Sequence, residues 1–286
     1  MTRITVCGAG YFFSSKIFAF VFNPLLSISI KIKLIKQQGD IAVSYISVFR
    51  RYELKYLLTR EQKQVVLEHI APYMELDRYG RTTICNVYYD TASYRLIRRS
   101  IEKPAYKEKL RIRSYGRASA DSTVFVELKK KYDGVVYKRR IAMTEPDAFS
   151  WLCNRSSSPS DSQIVREIEY FMDYYQDLRP TMFLSYEREA YYQNDGGDFR
   201  ITFDDNILCR SNDLSLDSEP YGCTILPQDM VLMELKCSGA IPLWMVDVLS
   251  RNKIYKTSFS KYGTAYAKTV LPTQMITNSK EQYINA

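Results

Sequence analysis

Seven residues, Lys109-Leu110-Arg111-Ile112-Arg113-Ser114-Tyr115, carry the densest chemistry in the chain. Branched and aromatic residues alternate there with polar ones at a period of two, which predicts a β-strand. Alternate side chains of a strand share a face, so Lys109, Arg111 and Arg113 project together, opposite Leu110 and Ile112. Three cations in a line suit a polyanion. Arginine adds a planar fork that takes two phosphate oxygens at once.

The pattern recurs along the chain. Glu53 and Lys55 share a strand face, as do Glu127 and Lys129, Lys138 and Arg140, Tyr186 and Arg188, Arg200, Thr202 and Asp204, and Glu234 and Lys236. A charged face on any one strand is ordinarily a solvated face. Seven such strands, mostly cationic with a few carboxylates, instead suit a closed antiparallel barrel with a charged lumen, since a barrel has no open edge and alternates inside with outside. The expected fold class is therefore α+β, a closed barrel with flanking helices. The carboxylates would pair with the cations or hold a divalent metal.

Taken in order, these segments together with Ser260-Lys261-Tyr262 resemble the VTC domain, the polyphosphate polymerase domain of the triphosphate tunnel metalloenzyme superfamily. The resemblance runs from about Phe49 to Thr269. The superfamily's opening motif is Glu-x-Glu-x-Lys; here Arg51 stands at its first position and only Glu53 and Lys55 remain. That reduction points to the VTC branch and away from the tripolyphosphatase and adenylate cyclase branches. The resemblance implies transfer of the ATP γ-phosphate onto a polyphosphate chain leaving through the tunnel. It implies Lys109, Arg111, Arg113, Arg188, Arg200 and Glu234 as the catalytic set. Glu53, Lys55, Lys129, Lys138, Arg140, Lys236, Ser260 and Lys261 would serve the phosphates. Glu234 would hold Mn²⁺ or Mg²⁺, with Asp204 or Glu127 as second ligand. ATP and inorganic polyphosphate are the expected partners, with room for a membrane partner that receives the polymer.

The reaction fits the residues. The chain has no G-x-x-x-x-G-K-[ST] loop, no G-x-G-x-x-G and no kinase-type His-Arg-Asp run. Phosphoryl transfer rests on positioning and charge neutralisation, and a terminal phosphate is already an anionic nucleophile. Two other readings stand beside it: a tripolyphosphate or nucleoside triphosphate hydrolase, and a non-catalytic polyphosphate-binding module. A nucleic-acid binder is disfavoured, because cations inside a barrel lack the exposed aromatics that stack bases.

Composition agrees. The 286 residues are 46% hydrophobic and carry a net charge of +8, a balance suited to acidic ligands. The six cysteines form no C-x-x-C pair and there is a single histidine, His69, which argues against a zinc site and suits a reducing, cytoplasmic setting. Residues 1–48 read as an extension, disordered or a start-site artefact; 49–272 as the VTC-like domain; 273–286 as a loose tail. Ile17–Ile30 is too short an apolar run for a membrane span.

Helices and turns must position the strands. Thr59-Arg60-Glu61-Gln62 is a capping box whose helix is expected to run to about Leu76. Asp133-Gly134 predicts a tight hairpin between the Glu127 and Lys138 strands, and Asn194-Asp195-Gly196-Gly197 another into the Arg200 strand. Helices are also expected at Tyr94–Arg99, Glu145–Cys153, Ile164–Gln176, Pro242–Asn252 and Ser258–Val270. The last starts at Ser260, whose hydroxyl and free amides could meet a phosphate.

Overall fold

The computed structural model describes residues 52–272. The expectations for residues 1–48, for Arg51 and for the tail from 273 lie outside the described residues. The strand alternation read from the sequence is realised from the first element, β1 (Tyr52–Thr59), onward. Its last residue, Thr59, caps α1 (Arg60–Ile70): the Thr59 hydroxyl accepts from the Gln62 amide, and the Gln62 side chain accepts from the Thr59 amide. The helix ends at Ile70, earlier than expected. Met74–Leu76 forms β2 instead, pairing with Tyr191–Gln193, because that edge offers backbone partners no further helical turn could use.

The chain continues through β3 (Thr82–Asp90), α2 (Arg95–Ile101), β4 (Tyr106–Tyr115), β5 (Thr123–Tyr132) and β6 (Val135–Thr144). Asp133 and Gly134, at φ 43° and 82°, turn β5 into β6, as Asp-Gly does in tight hairpins. Helices α3 (Glu145–Asn154) and α4 (Gln163–Tyr175) follow, then β7 (Arg179–Gln193), β8 (Arg200–Arg210), β9 (Cys223–Thr224) and β10 (Met230–Cys237). Last come α5 (Leu243–Arg251), β11 (Lys256–Thr257) and α6 (Lys261–Ala265), which runs on as a π-type turn through Val270.

All strand pairs are antiparallel in one sheet, ordered β11-β1-β10-β8-β7-β3-β4-β5-β6, with β2 attached to β7 and β9 to β8. The expected barrel closure is not made: among the described residues no ladder joins β6 to β1 or β11. The sheet nonetheless curls until side chains meet across the gap, Lys129 of β5 reaching Glu53 of β1 at 3.0 Å. β11, with only two residues, offers little edge to pair with, and the charged residues of β6 are engaged within the sheet and with α4: Lys138 and Arg140 pair with Glu127, and Arg139 with Glu167. Charged edge strands are a common guard against edge pairing.

The two faces of the sheet divide the work. Leu110, Ile112, Val126 and Leu128 face outward into a core closed by Trp151 and Leu152 of α3 and Ile168 and Phe171 of α4. Tyr56, Ile201, Phe203, Met233 and Leu235 do the same beneath α1 and α5. A buried Leu or Ile contributes about 1.5–3 kcal/mol, so these covers stabilise the curl. The concave face is apolar at one end, where Leu232, Met182 and Leu184 pack against Tyr262 and Tyr266. Elsewhere it is charged.

Candidate functional site

The alternation that sends Leu110 and Ile112 outward sends Lys109, Arg111 and Arg113 into a cavity of about 370 Å³ on the concave face. Glu53, Lys55, Lys129, Lys138, Arg188, Glu234, Lys236, Ser260 and Lys261 line it too. Twelve of the residues singled out from sequence thus meet in one place. Arg140, Glu127 and Asp204 lie beside it rather than on its wall, and Arg200, at the exposed start of β8, does not reach it.

Two carboxylate nodes organise the cations. The first is Glu127, whose side chain is 1% exposed. Arg111 approaches it at 2.7 Å, Lys138 at 2.7 Å and Arg113 at 3.9 Å, and Arg140 forms a further close ion pair. The register explains this, since β5 sets Glu127 between Arg111 on β4 and Arg140 on β6.

The second node is Glu234. Lys236 lies at 2.8 Å, Lys55 at 3.3 Å, Lys261 at 3.4 Å and Arg188 at 3.6 Å. Behind it, fully buried Asp204 accepts two bonds of 2.6 Å from Arg188 and one of 2.5 Å from Lys261. None of the cations on Glu127 is shared with Glu234, so the two nodes are separate clusters. Glu53 links the second node to β5 through Lys55 and Lys129.

Burial opposes charge on these carboxylates, yet the surrounding cations win. Glu53, Glu127, Asp204 and Glu234 are all held below the usual carboxylate range. The lysines split. Burial would lower Lys55 and Lys261, but their carboxylate partners raise both. Lys109 has no carboxylate partner; burial, then Lys55 and Lys129, pushes it down to about 7. Burial also takes Lys138 down to about 7, against the pull of Glu127. Burial would raise the Tyr186 phenol, but Arg113, Arg188 and Lys261 draw it below its ordinary value.

A divalent metal fits this donor set in one way only. Among the described residues no three His, Cys, Asp or Glu side chains cluster to hold an ion. The position between Asp204 and Glu234 is filled by the Lys261 ammonium, and that between Glu53 and Glu234 by Lys55. Mg²⁺ and similar ions are, however, commonly held by one or two carboxylates plus substrate phosphates. Glu234, which lines the cavity, suits that arrangement; Glu127, enclosed by four cations, does not.

The sequence reading does not single out several residues on the wall or just behind it. Tyr88 accepts a 2.8 Å bond from Arg111, and Asn86 accepts a 2.9 Å bond from Arg113. The signal was Asn86, a lone amide in the apolar run of β3, which marks the inward face of that strand. Asp90 and Tyr262 form the other missed device. The Asp90 carboxylate accepts from the amides of Thr91, Leu96 and Ile97 and from the Tyr262 hydroxyl at 2.9 Å. The Tyr262 ring stacks on Tyr88 at 4.7 Å. This pins α6, and with it Ser260 and Lys261, to the start of α2. Tyr262→Phe should cost about 1.5–3 kcal/mol, the worth of a hydrogen bond to a charged group, as read by urea unfolding.

The VTC domain profile matches residues 50–270. No curated protein matches the chain. Similar solved structures include a proposed adenylate cyclase from Bacillus halodurans, at 14% identity over 74% of this chain and 95% of that one, TM-score 0.46. Another is a proposed adenylyl cyclase from Hippeastrum described as having a dominant triphosphatase activity, at 17% identity over 78% and 98%, TM-score 0.44. A third, from Pyrococcus horikoshii, shows 15% identity over 78% and 97%, TM-score 0.39. The match spans most of the chain, including every strand that lines the cavity: the chain belongs to the VTC domain family.

Proposed function

We propose that the chain is a polyphosphate polymerase, moving the γ-phosphate of ATP onto the end of an inorganic polyphosphate. One observation carries this reading: ten lysines and arginines line the cavity against two glutamates. Such a surplus demands a ligand of high, repeated negative charge. A terminal phosphate oxygen of the acceptor attacks the γ-phosphorus, the bond to the β–γ bridging oxygen breaks, and ADP leaves with that electron pair. Lys109, Arg111, Arg113 and Arg188 hold the phosphates in line and spread the charge of the transition state. Glu234, together with substrate phosphates, would hold Mn²⁺ or Mg²⁺, which would add Lewis-acid neutralisation of phosphate oxygens, while Asp204 holds Arg188 and Lys261 in place. Glu127 keeps Arg111 and Arg113 aligned.

Transfer is favoured over hydrolysis because water needs a base. No histidine lines the cavity, and both lining glutamates are ion-paired and held in their weakly basic form. The acceptor phosphate brings its own charge. A cytoplasmic setting would supply the ATP this reading needs. Among the described residues no helix is long and apolar enough to cross a membrane.

The test is incubation of the purified chain with ATP and Mn²⁺, with and without a short polyphosphate primer, followed by gel analysis of polymer length. A lengthening ladder supports the polymerase. Phosphate release without a ladder makes it a hydrolase, and binding without either makes it a polyphosphate-binding module.

Lys109 gives a second, independent check. At pH 8 it is largely neutral, and a polyanion beside it restores its charge. Binding of tripolyphosphate should therefore take up protons at pH 8, approaching one per site from Lys109 and adding to any uptake by Lys138, and markedly fewer at pH 6. Calorimetry in buffers of different ionisation enthalpy reads this directly. Lys109→Arg should remove the Lys109 share.

A further inference from the structure

The inward faces of β4 and β5 carry lysines beyond the cavity wall. In register, Lys109 stands opposite Lys129 and Lys107 opposite Lys131. Lys129 also stands opposite Lys138 on β6. Like charges placed directly across an antiparallel pair are destabilising. Lys109 and Lys129 line the cavity. Lys107 and Lys131 lie two residues further along their strands, so they form the next rung outward on the same face.

This outer rung is uncompensated. Among the described residues, Lys103, Lys107 and Lys131 take part in no ion pair. Three acidic residues are close in sequence: Glu108 belongs to the opposite face, where it meets Lys130 at 3.9 Å and Tyr175 at 3.0 Å, while Glu102 and Asp133 are exposed beside Lys103 and Lys131 and form no ion pair with them. Lys107 feels the cluster: burial, then Lys131, Lys103, Lys129 and Lys55, lowers it from the ordinary lysine value. Along β4, alternate side chains recur about every 6.6–6.8 Å, so Lys107, Lys109, Arg111 and Arg113 make a cationic line of about 20 Å. Tyr106 and Tyr132, register partners whose rings lie 6.5 Å apart, sit on the same side as Glu108. Those two rings therefore stand away from the outer lysines, whose ammonium groups suit phosphate oxygens.

We propose that Lys107 and Lys131, with Lys103 beside them, form an outer lane that holds an inorganic polyphosphate chain beyond the cavity, several phosphates away from the end that reacts. The inference rests on the reading of the cavity as a polyphosphate site and adds which way the chain runs: out along the open ends of β4 and β5. A lane of this kind acts only on chains long enough to reach it. Three phosphates fill the cavity alone, whereas tens of phosphates engage both.

The experiment is equilibrium binding of tripolyphosphate and of polyphosphate of tens of residues to the full chain and to Lys107→Gln/Lys131→Gln. The charge-keeping Lys107→Arg/Lys131→Arg serves as the control for folding and geometry. In the Gln variant, long-chain affinity should fall about 5- to 30-fold. The slope of log affinity against log salt should flatten by about 1.4, as expected for two lost contacts to a single-stranded polyanion. Tripolyphosphate should bind within about twofold of the parent, and the Arg variant should keep long-chain affinity. An equal loss for both ligands, or no loss for the long one, overturns the lane. If the parent chain binds neither probe, the reading of the cavity fails first and the lane falls with it.

Discussion

Glu234→Gln should abolish phosphoryl transfer while leaving polyphosphate binding intact or stronger. The carboxylate is the meeting point of Lys55, Arg188, Lys236 and Lys261. Neutralising it removes one negative charge from a cavity already rich in cations, so the attraction for a polyanion grows. Turnover depends on the anchor itself. Without it the four cations lose their common centre, and a divalent ion loses its lining carboxylate. Loss of one preorganised charged group at the reacting centre commonly costs about 10²–10³ in kcat, and loss of metal anchoring would add to that. The measurement pairs initial rates of ADP release with polyphosphate affinity at the same pH and salt. A parallel fall in both would mean that Glu234 only holds the site together, and unchanged turnover would remove it from the chemistry altogether. The amide keeps the size of the side chain, so near-ultraviolet circular dichroism should show the fold retained.

What the sequence made legible here was local. Alternation in Lys109–Arg113, Glu127–Lys129 and Glu234–Lys236 fixes which side chains share a face, since the period of a strand is two whatever the partner. Pairing each face with the cavity needed only that the opposite residues be apolar enough to sit under helices. The Asp133-Gly134 and Asn194–Gly197 turns were legible for the same reason. Closure of the sheet was not, because it depends on whether β6 and β1 pair, two strands far apart in the chain. How far the sheet curls is a property of the assembled strands and their helical covers, not of any one segment.

The concave face also changes character part way along its strands. On β10, Leu232 points inward into the apolar plug against α6, and Glu234, two residues on, points into the charged cavity. On β7 the same switch falls between Leu184 and Arg188. A pattern of apolar and charged residues on one face reads as noise until α6 is known to cover one end of it. The roles of the carboxylates were hidden likewise. Sequence spacing places Glu127 on an inward face but says nothing of the arginines that β4 and β6 bring to it.

That arrangement makes Glu127 the residue whose loss should damage the fold most. Glu127→Gln leaves Arg111, Arg113, Lys138 and Arg140 gathered about a neutral amide in a buried setting. Removing one partner from a buried ion-pair cluster typically costs about 3–5 kcal/mol, because the remaining charges stay desolvated and repel one another. In a domain of this size about 1 kcal/mol moves Tm by about 2–4 °C, so the melting temperature should drop by about 10 °C. The acid limb gives a sharper signature. The Glu127 carboxyl is held below the ordinary value of about 4.3 that it regains on unfolding. In acid the unfolded chain thus binds the proton that the folded chain refuses, and stability rises with pH across that window. Its contribution is full above about pH 4.3 and is lost as pH falls from there toward the folded value. The gap between parent and variant should be complete at pH 6–7 and close below about pH 4. Taking the difference cancels the similar behaviour of Glu53, Asp204 and Glu234, which both proteins retain. A gap that stays constant down to pH 3 would mean that the amide disturbs packing, and that the four cations are not held by the charge of Glu127.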